Sequence, residues 1–281
     1  MNPRGALELI RPINCAMIGF AVLVGAFVSK PASIPYVQLC IGFFTGFFVC
    51  AYSMAVNDIY DLDVDRINRP ERPLPSGRVS IKEASGLAYA VLAIGIACSA
   101  LSLYPLAVVI AAAYALLSWL YNSKAKKTGL PGNLIVASSL AIPFIYGGVV
   151  AGGSIGGSLL LMMALTAFFS GVGREVVKAM ADVEGDAKRE VKSVARTKGL
   201  TFASRVGALF FILAVLTSWV PLVTGLANEV YSFGVVIPDA IFLYLAVAIT
   251  ARHEPASAYT VKKIALAGMT VGLLVFIGGA V

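Results

Sequence analysis

The chain has 281 residues, of which 59% are hydrophobic and 13% charged, and its mean hydropathy is +0.86. So little polar surface cannot cover a soluble globule of this size; lipid must be the solvent, and an all-α polytopic fold follows. The formal charge of +7 comes with no nucleic-acid-binding motif, so it points to anionic headgroups and diphosphates and excludes a nucleic-acid partner.

In chain order, apolar runs occupy 12–29, 36–56, 83–103, 104–121, 131–151, 157–181, 202–222, 233–250 and 262–281. Each is near the roughly 20 residues that a helix needs to cross about 30 Å of hydrocarbon. Nine transmembrane helices are expected, the third and fourth joined by a turn near Leu103–Pro105, around a central cavity opening near the cytoplasmic face. Residues 1–281 then form a single transmembrane domain, with loops 57–82 and 182–201 capping its site. The first run is a membrane helix rather than a signal peptide, because Arg11, Pro12 and Asn14 stand at its start and no small-residue cleavage site follows.

Alternating these helices across a bilayer places every Lys and Arg except Lys30 on one face, from Arg4 and Arg11 through the run Arg174 to Arg205 to Lys263. Positive charge resists translocation, so that face is cytoplasmic and the C-terminus lies outside. The protein is expected in the cell membrane, with no obligate protein partner. Cys15, Cys40, Cys50 and Cys98 lie in apolar runs without metal-site spacing and read as small hydrophobes.

The outer connections are short and nearly uncharged, as in 151–157, so function belongs to the other face. There the long loops follow the second and sixth helices, an arrangement repeated four helices apart that suggests a pseudo-twofold layout. The first cluster reads Asn57-Asp58-Ile59-Tyr60-Asp61-Leu62-Asp63-Val64-Asp65-Arg66. On a helix, Asn57, Asp61 and Asp65 step only about 40° apart and Asp58 shares their arc, whereas Asp63 points away. Three carboxylates on adjacent turns repel unless a cation neutralises them. Oxygen ligands suit Mg²⁺ rather than zinc, and the lone His253 offers nothing to a zinc site.

The second cluster places Arg174, Lys178, Asp182 and Asp186 as successive i, i+4 neighbours at the end of the sixth helix, with Gly185 as a possible terminator. Cations inside a membrane helix need an anion; Asp182 and a ligand headgroup are the two candidates. Arg11 and Asn14 on the first helix and Tyr121 and Lys124 at the end of the fourth add a cation each. Arg66, Arg69, Arg72 and Arg78 lie in a Pro/Gly loop that can supply phosphate donors, and Ser80 to Glu83 is a capping-box pattern that starts the third helix. Gly171 and Gly173 offer either room for an apolar tail or close helix packing.

Two carboxylate groups, surplus cations and an apolar floor match one reaction type. A diphosphate leaves an allylic carbon once its charge is neutralised, and a second substrate captures the carbon away from water. Asn57-Asp58-x-x-Asp61-x-x-x-Asp65, Tyr121-x-x-Lys124 and Asp182-x-x-Gly185-Asp186 on nine helices resemble the UbiA superfamily of intramembrane prenyltransferases over essentially the whole chain. Gly173-Arg174-Glu175 before the second motif, with Arg11-Pro12-x-Asn14, is most similar to its archaeal digeranylgeranylglyceryl phosphate synthase branch.

The resemblance implies that Asn57, Asp61, Asp65, Asp182 and Asp186 hold Mg²⁺-diphosphate. It further implies geranylgeranyl diphosphate as donor and geranylgeranylglyceryl phosphate as acceptor. The acceptor phosphate then needs its own cations, for which Arg174 and Lys178 are the candidates, although they could equally touch the donor. An aromatic, quinone, haem or chlorophyll-type acceptor is the nearest alternative. A secondary transporter is the rival from another class, and a lipid-binding scaffold a weaker third.

Overall fold

The computed structural model describes residues 2–29, 36–152, 155, 157–188 and 190–280. Lys30, expected as the one outer basic residue, and Gly153, Ser154 and Gly156 of the expected outer connection lie outside the described residues, as does Arg189 of the basic run.

Regular structure among the described residues is helical throughout. It comprises α1 (Pro3–Ile10), α2 (Pro12–Val28), α3 (Tyr36–Tyr60), α4 (Leu62–Asn68), α5 (Ile81–Leu101), α6 (Pro105–Ser123), α7 (Leu130–Gly152) and α8 (Ser158–Ala181). Then come α9 (Val183–Lys188), α10 (Val194–Lys198), α11 (Leu200–Val223), α12 (Glu229–Gly234), α13 (Val236–Ala251) and α14 (Pro255–Ala280). Among the described residues, eight segments are long and apolar enough to cross a membrane, counting Glu229–Ala251 as one, and the bent pair of α1 and α2 makes a ninth if it is one span.

The bend of 43° between α1 and α2 falls at Arg11-Pro12. Proline disfavours the helical conformation in the residue before it, and Arg11 sits in the left-handed region at φ 51°. Two expected boundaries hold. Ser80 Oγ accepts from the Glu83 N–H while Glu83 accepts from the Ser80 N–H, a full capping box. Leu103, at φ 61°, turns the chain from α5 into Pro105, the first residue of α6.

The chain divides into two compact units. One comprises Met1–Ala26, Pro31–Ser123 and Tyr146–Ile155, the other Phe27–Lys30, Lys124–Ile145 and Gly156–Val281. In the first, α3 packs against α5 and α6, and α1 lies on α3 and α5. The unit's buried residues include the alanines Ala51, Ala55, Ala84, Ala88, Ala107, Ala111 and Ala115. Lipid chains are as apolar as the helices, so association relies on close backbone approach, which small residues permit. Buried hydroxyl bonds, Tyr146 to Ser99 at 2.9 Å and Ser118 to Ser53 at 2.7 Å, each add about 0.6 kcal/mol.

In the second unit, α8 packs against α11 and α14, α11 against α13, and α13 against α14. A Cβ on Gly171 would stand 2.7 Å from Leu140, and one on Gly173 2.7 Å from the Phe211 ring. These glycines therefore serve packing, and their Cβ positions leave no space for an apolar tail. Away from the acidic motifs, the buried Asp239 on α13 accepts from Ser218 Oγ at 2.9 Å and Trp219 Nε1 at 2.8 Å, fastening α13 to α11.

Candidate active site

The first acidic cluster begins within α3 rather than in a loop. Asn57 and Asp58 lie in the last turn of that helix, which stops at Tyr60; Asp61 forms a turn at φ −91°, ψ 2°, and α4 resumes the helical path. Aspartate is a poor helix former and its neighbours here repel, so the break falls on an acidic residue. The expected uninterrupted helical face is thus corrected to two helices. Their stepping survives, because the Asp61 N–H donates to the Asn57 carbonyl at 3.0 Å and the Asp65 N–H to the Asp61 carbonyl at 2.8 Å.

Asp58, at 4% exposure, and Asp65 are buried and face the same guanidinium. Arg72 Nη1 donates to Asp65 Oδ2 at 2.5 Å and to Asp58 Oδ1 at 3.3 Å. Arg11 joins them, with Nη2 on Asp58 and Nη1 on the Met54 sulfur at 3.4 Å. Within this unit, then, Asp58 and Asp65 are each paired with an arginine.

Arg11 reaches Asp58 from the α1–α2 break, so it does not share a helix face with Asn14, which is exposed on α2. Arg66 pairs with Asp63 at 3.0 Å on the exposed side of α4, and the exposed Arg69 caps that helix. Neither is gathered to Asp58 and Asp65 with Arg72.

The arginine loop is pinned at its far end. Arg78 Nη2 donates to Glu8 at 2.6 Å and to the Glu71 carbonyl at 2.7 Å, and Val79 is buried beneath Gly5.

Asn57 turns its amide to Asn122, donating at 2.9 Å, while Asn122 donates to the Ser118 carbonyl at 2.9 Å. Sequence reasoning passed over Asn122; its signal was an asparagine at an apolar helix end beside Tyr121. Tyr121 is half-buried on α6, but Lys124 lies past the end of that helix and is exposed.

The second cluster repeats the local design. α8 stops at Ala181, Asp182 breaks it at φ −104°, ψ 16°, and α9 follows with Gly185 inside it rather than at its end. The Asp182 N–H donates to the Lys178 carbonyl at 3.0 Å and the Asp186 N–H to the Asp182 carbonyl at 2.9 Å. Asp186, like Asp65, is buried one turn beyond the break.

Arg174 and Lys178 do not take Asp182 as their anion. Both bind Glu175, at 2.8 Å and 3.1 Å, because that carboxylate is buried one and three residues away. Asp182 instead receives Lys262 of α14 at 3.4 Å. Glu175 and Lys262 were missed as site residues; the adjacency of Glu175 to Arg174 was a signal, whereas Lys262 lies 80 residues away in sequence. The segment after α9 is fixed by its backbone: the Lys192 N–H donates to the Lys127 carbonyl at 2.9 Å. Gly129, at φ 76°, approaches so closely that a Cβ would lie 2.1 Å from the Lys192 carbonyl oxygen.

Among the described residues no three His, Cys, Asp or Glu side chains group to hold a metal by themselves. Mg²⁺ asks for less, one or two carboxylates with waters and substrate phosphate oxygens completing its shell. The donor set here, carboxylates and an amide at two helix breaks without a histidine or thiolate, fits that hard cation.

The UbiA prenyltransferase family model matches residues 18–270. The chain belongs to the UbiA prenyltransferase family. This UbiA prenyltransferase is accordingly a multi-pass membrane enzyme. It is 36% identical to the digeranylgeranylglyceryl phosphate synthase of Archaeoglobus fulgidus over 97% of its own length and 94% of that protein's. The synthase of Methanocaldococcus jannaschii is 34% identical over 98% of this chain and 95% of that one.

A solved structure of a digeranylgeranylglyceryl phosphate synthase is similar at a TM-score of 0.86 and 33% identity, covering 99% of this chain and 98% of that one. A UbiA homologue from Archaeoglobus fulgidus bound to GPP and Mg²⁺ has a TM-score of 0.70 at 19% identity, covering 97% and 99%, a likeness of fold.

Proposed function

We propose that this enzyme transfers a geranylgeranyl group from geranylgeranyl diphosphate to geranylgeranylglyceryl phosphate, forming the second ether bond of archaeal membrane lipids. The observation that carries the reading is the likeness, over nearly the whole of both chains, to synthases of that product. The cations held on Glu175, over and above those on Asp58, Asp65 and Asp182, supply the charge that a phosphate-bearing acceptor needs in addition to the donor diphosphate. An aromatic acceptor would need fewer.

In this reading residues 1–281 are one catalytic domain of nine spans, counting α1 and α2 together. Its cavity opens near the cytoplasmic face, where the N-terminus also lies. Asn57, Asp61, Asp65, Asp182 and Asp186 would hold Mg²⁺, which supplies neutralisation of the charge on the leaving diphosphate.

The remaining work falls to the chain's own side chains. Asp58 holds Arg11 and Arg72 side by side, so two guanidinia face the diphosphate oxygens without rearranging during the reaction. Arg66, Arg69, Asn14, Tyr121 and Lys124 stand further out and contribute to substrate capture. The allylic C–O bond breaks with its electron pair leaving on the diphosphate, and the acceptor hydroxyl oxygen bonds to the same carbon and loses its proton. Apolar helix walls keep water from capturing that carbon first.

The test is direct. Purified protein given radiolabelled geranylgeranyl diphosphate is expected to label geranylgeranylglyceryl phosphate, to stop when EDTA removes divalent metal, and to resume on adding Mg²⁺. Labelling of an aromatic acid but not of the glyceryl phosphate would overturn the acceptor assignment.

A further inference from the structure

Glu175 is an acidic residue inside a membrane helix; the proposed function uses the two cations it holds, and the role of the carboxylate itself is a separate question. It is 7% exposed on α8, and each of its two oxygens carries one cation, Arg174 Nη1 at 2.8 Å and Lys178 Nζ at 3.1 Å. Exposure rises in a definite order: the carboxylate side chain is 9% exposed, that of Arg174 27% and that of Lys178 47%. The acid therefore lies underneath and the cations lie over it, with the remaining ammonium protons of Lys178 and Nη2 of Arg174 left to serve something else.

We infer that Glu175 is a positioning residue that fixes Arg174 and Lys178 as a two-pronged receptor for the phosphate of the acceptor, an inference that rests on the proposed phosphate-bearing acceptor. Three observations carry it. First, the pair plus the acid is a net single positive charge, which suits a phosphate dianion better than a neutral headgroup. Second, Arg174 Nε is buried and has no hydrogen-bond acceptor among the described residues. A small turn of the guanidinium toward an incoming phosphate would give it one, so the donor set is complete only with an anion.

Third, the platform is stiff. Val172, Val176 and Val177 around Glu175 are fully buried or nearly so, and Gly171 and Gly173 press α8 against Leu140 and Phe211. Glu175 is also set apart from the metal-ligand acids. It lies seven residues, about 10 Å of helix rise, before Asp182, and both its oxygens are engaged by cations rather than open to a metal.

Steady-state kinetics of the full-length enzyme separates this assignment from a plain structural ion pair. In Glu175→Gln the KM for geranylgeranylglyceryl phosphate is expected to rise about tenfold or more, because a supporting hydrogen-bond partner of a binding group is lost. The KM for geranylgeranyl diphosphate is expected to stay within about twofold, since the local change leaves the acids of the donor site in place. Glu175→Asp, which keeps the charge with a shorter reach, should fall between the two. Inorganic phosphate, competing with the acceptor, should inhibit the Gln variant more weakly than the wild type.

Equal rises in both KM values, or an unchanged acceptor KM, would overturn the inference while the acceptor assignment stands. Should the Gln variant fail to fold, the same comparison on Glu175→Asp decides. A wild-type enzyme that does not use the glyceryl phosphate at all would instead overturn the acceptor assignment, and this inference with it.

Discussion

Asp58 and Asp61 are three residues apart and have different surroundings. Asp58 is buried between two guanidinia, whereas Asp61 is half-buried at a helix break. Removing one member of a buried ion pair leaves an uncompensated charge and costs about 3–5 kcal/mol, so Asp58→Ala should lower the melting temperature sharply. Asp61→Ala and Asp182→Ala should melt within a few degrees of the wild type yet lose turnover by about a hundredfold or more, the scale of removing one transition-state contact. Melting curves and labelled-product assays on the three variants check this. Near-normal turnover in both break-point variants would sink the metal-ligand assignment.

The two helix breaks show which local signals were strong. The i, i+4 spacing of Asn57, Asp61 and Asp65 correctly gave their stepping, because a backbone hydrogen bond is a local property. The break at Asp61 was not legible, and Gly185, offered as a helix terminator, lies inside α9 while the break falls at Asp182. A glycine costs a helix only about 1 kcal/mol, which tertiary contacts override. The Ser80–Glu83 box was legible, since both partners lie within four residues. Gly173 shows the opposite limit: its neighbour Phe211 comes from α11. A methyl there must displace that ring, so Gly173→Ala should destabilise by about 1–3 kcal/mol, read as a lower melting temperature in detergent. An unchanged melting temperature would mean that α8 and α11 are less closely packed than described.

At the scale of the whole molecule, charge asymmetry is the main lever on orientation. Cysteine scanning in a chain with Cys15, Cys40, Cys50 and Cys98 replaced by alanine reads it out. A membrane-impermeant maleimide added outside intact cells should label Leu226→Cys, in the connection after α11, and should reach Glu71→Cys and Asn2→Cys only after lysis. The reverse pattern would invert the proposed orientation, and labelling of Asn2→Cys together with Leu226→Cys from outside would remove one span.

The sequence by itself determined the all-helical membrane fold, the approximate position of each long apolar helix and the two acidic motifs. These depend on hydropathy summed over about 20 residues or on neighbours within one helical turn. Only the tertiary structure decided which cation serves which acid. Arg11 meets Asp58 across 47 residues, Arg78 meets Glu8 across 70 and Lys262 meets Asp182 across 80. A salt bridge tolerates only a few ångströms, and no local pattern of charge can say which distant helix end the packing of the chain brings within that reach.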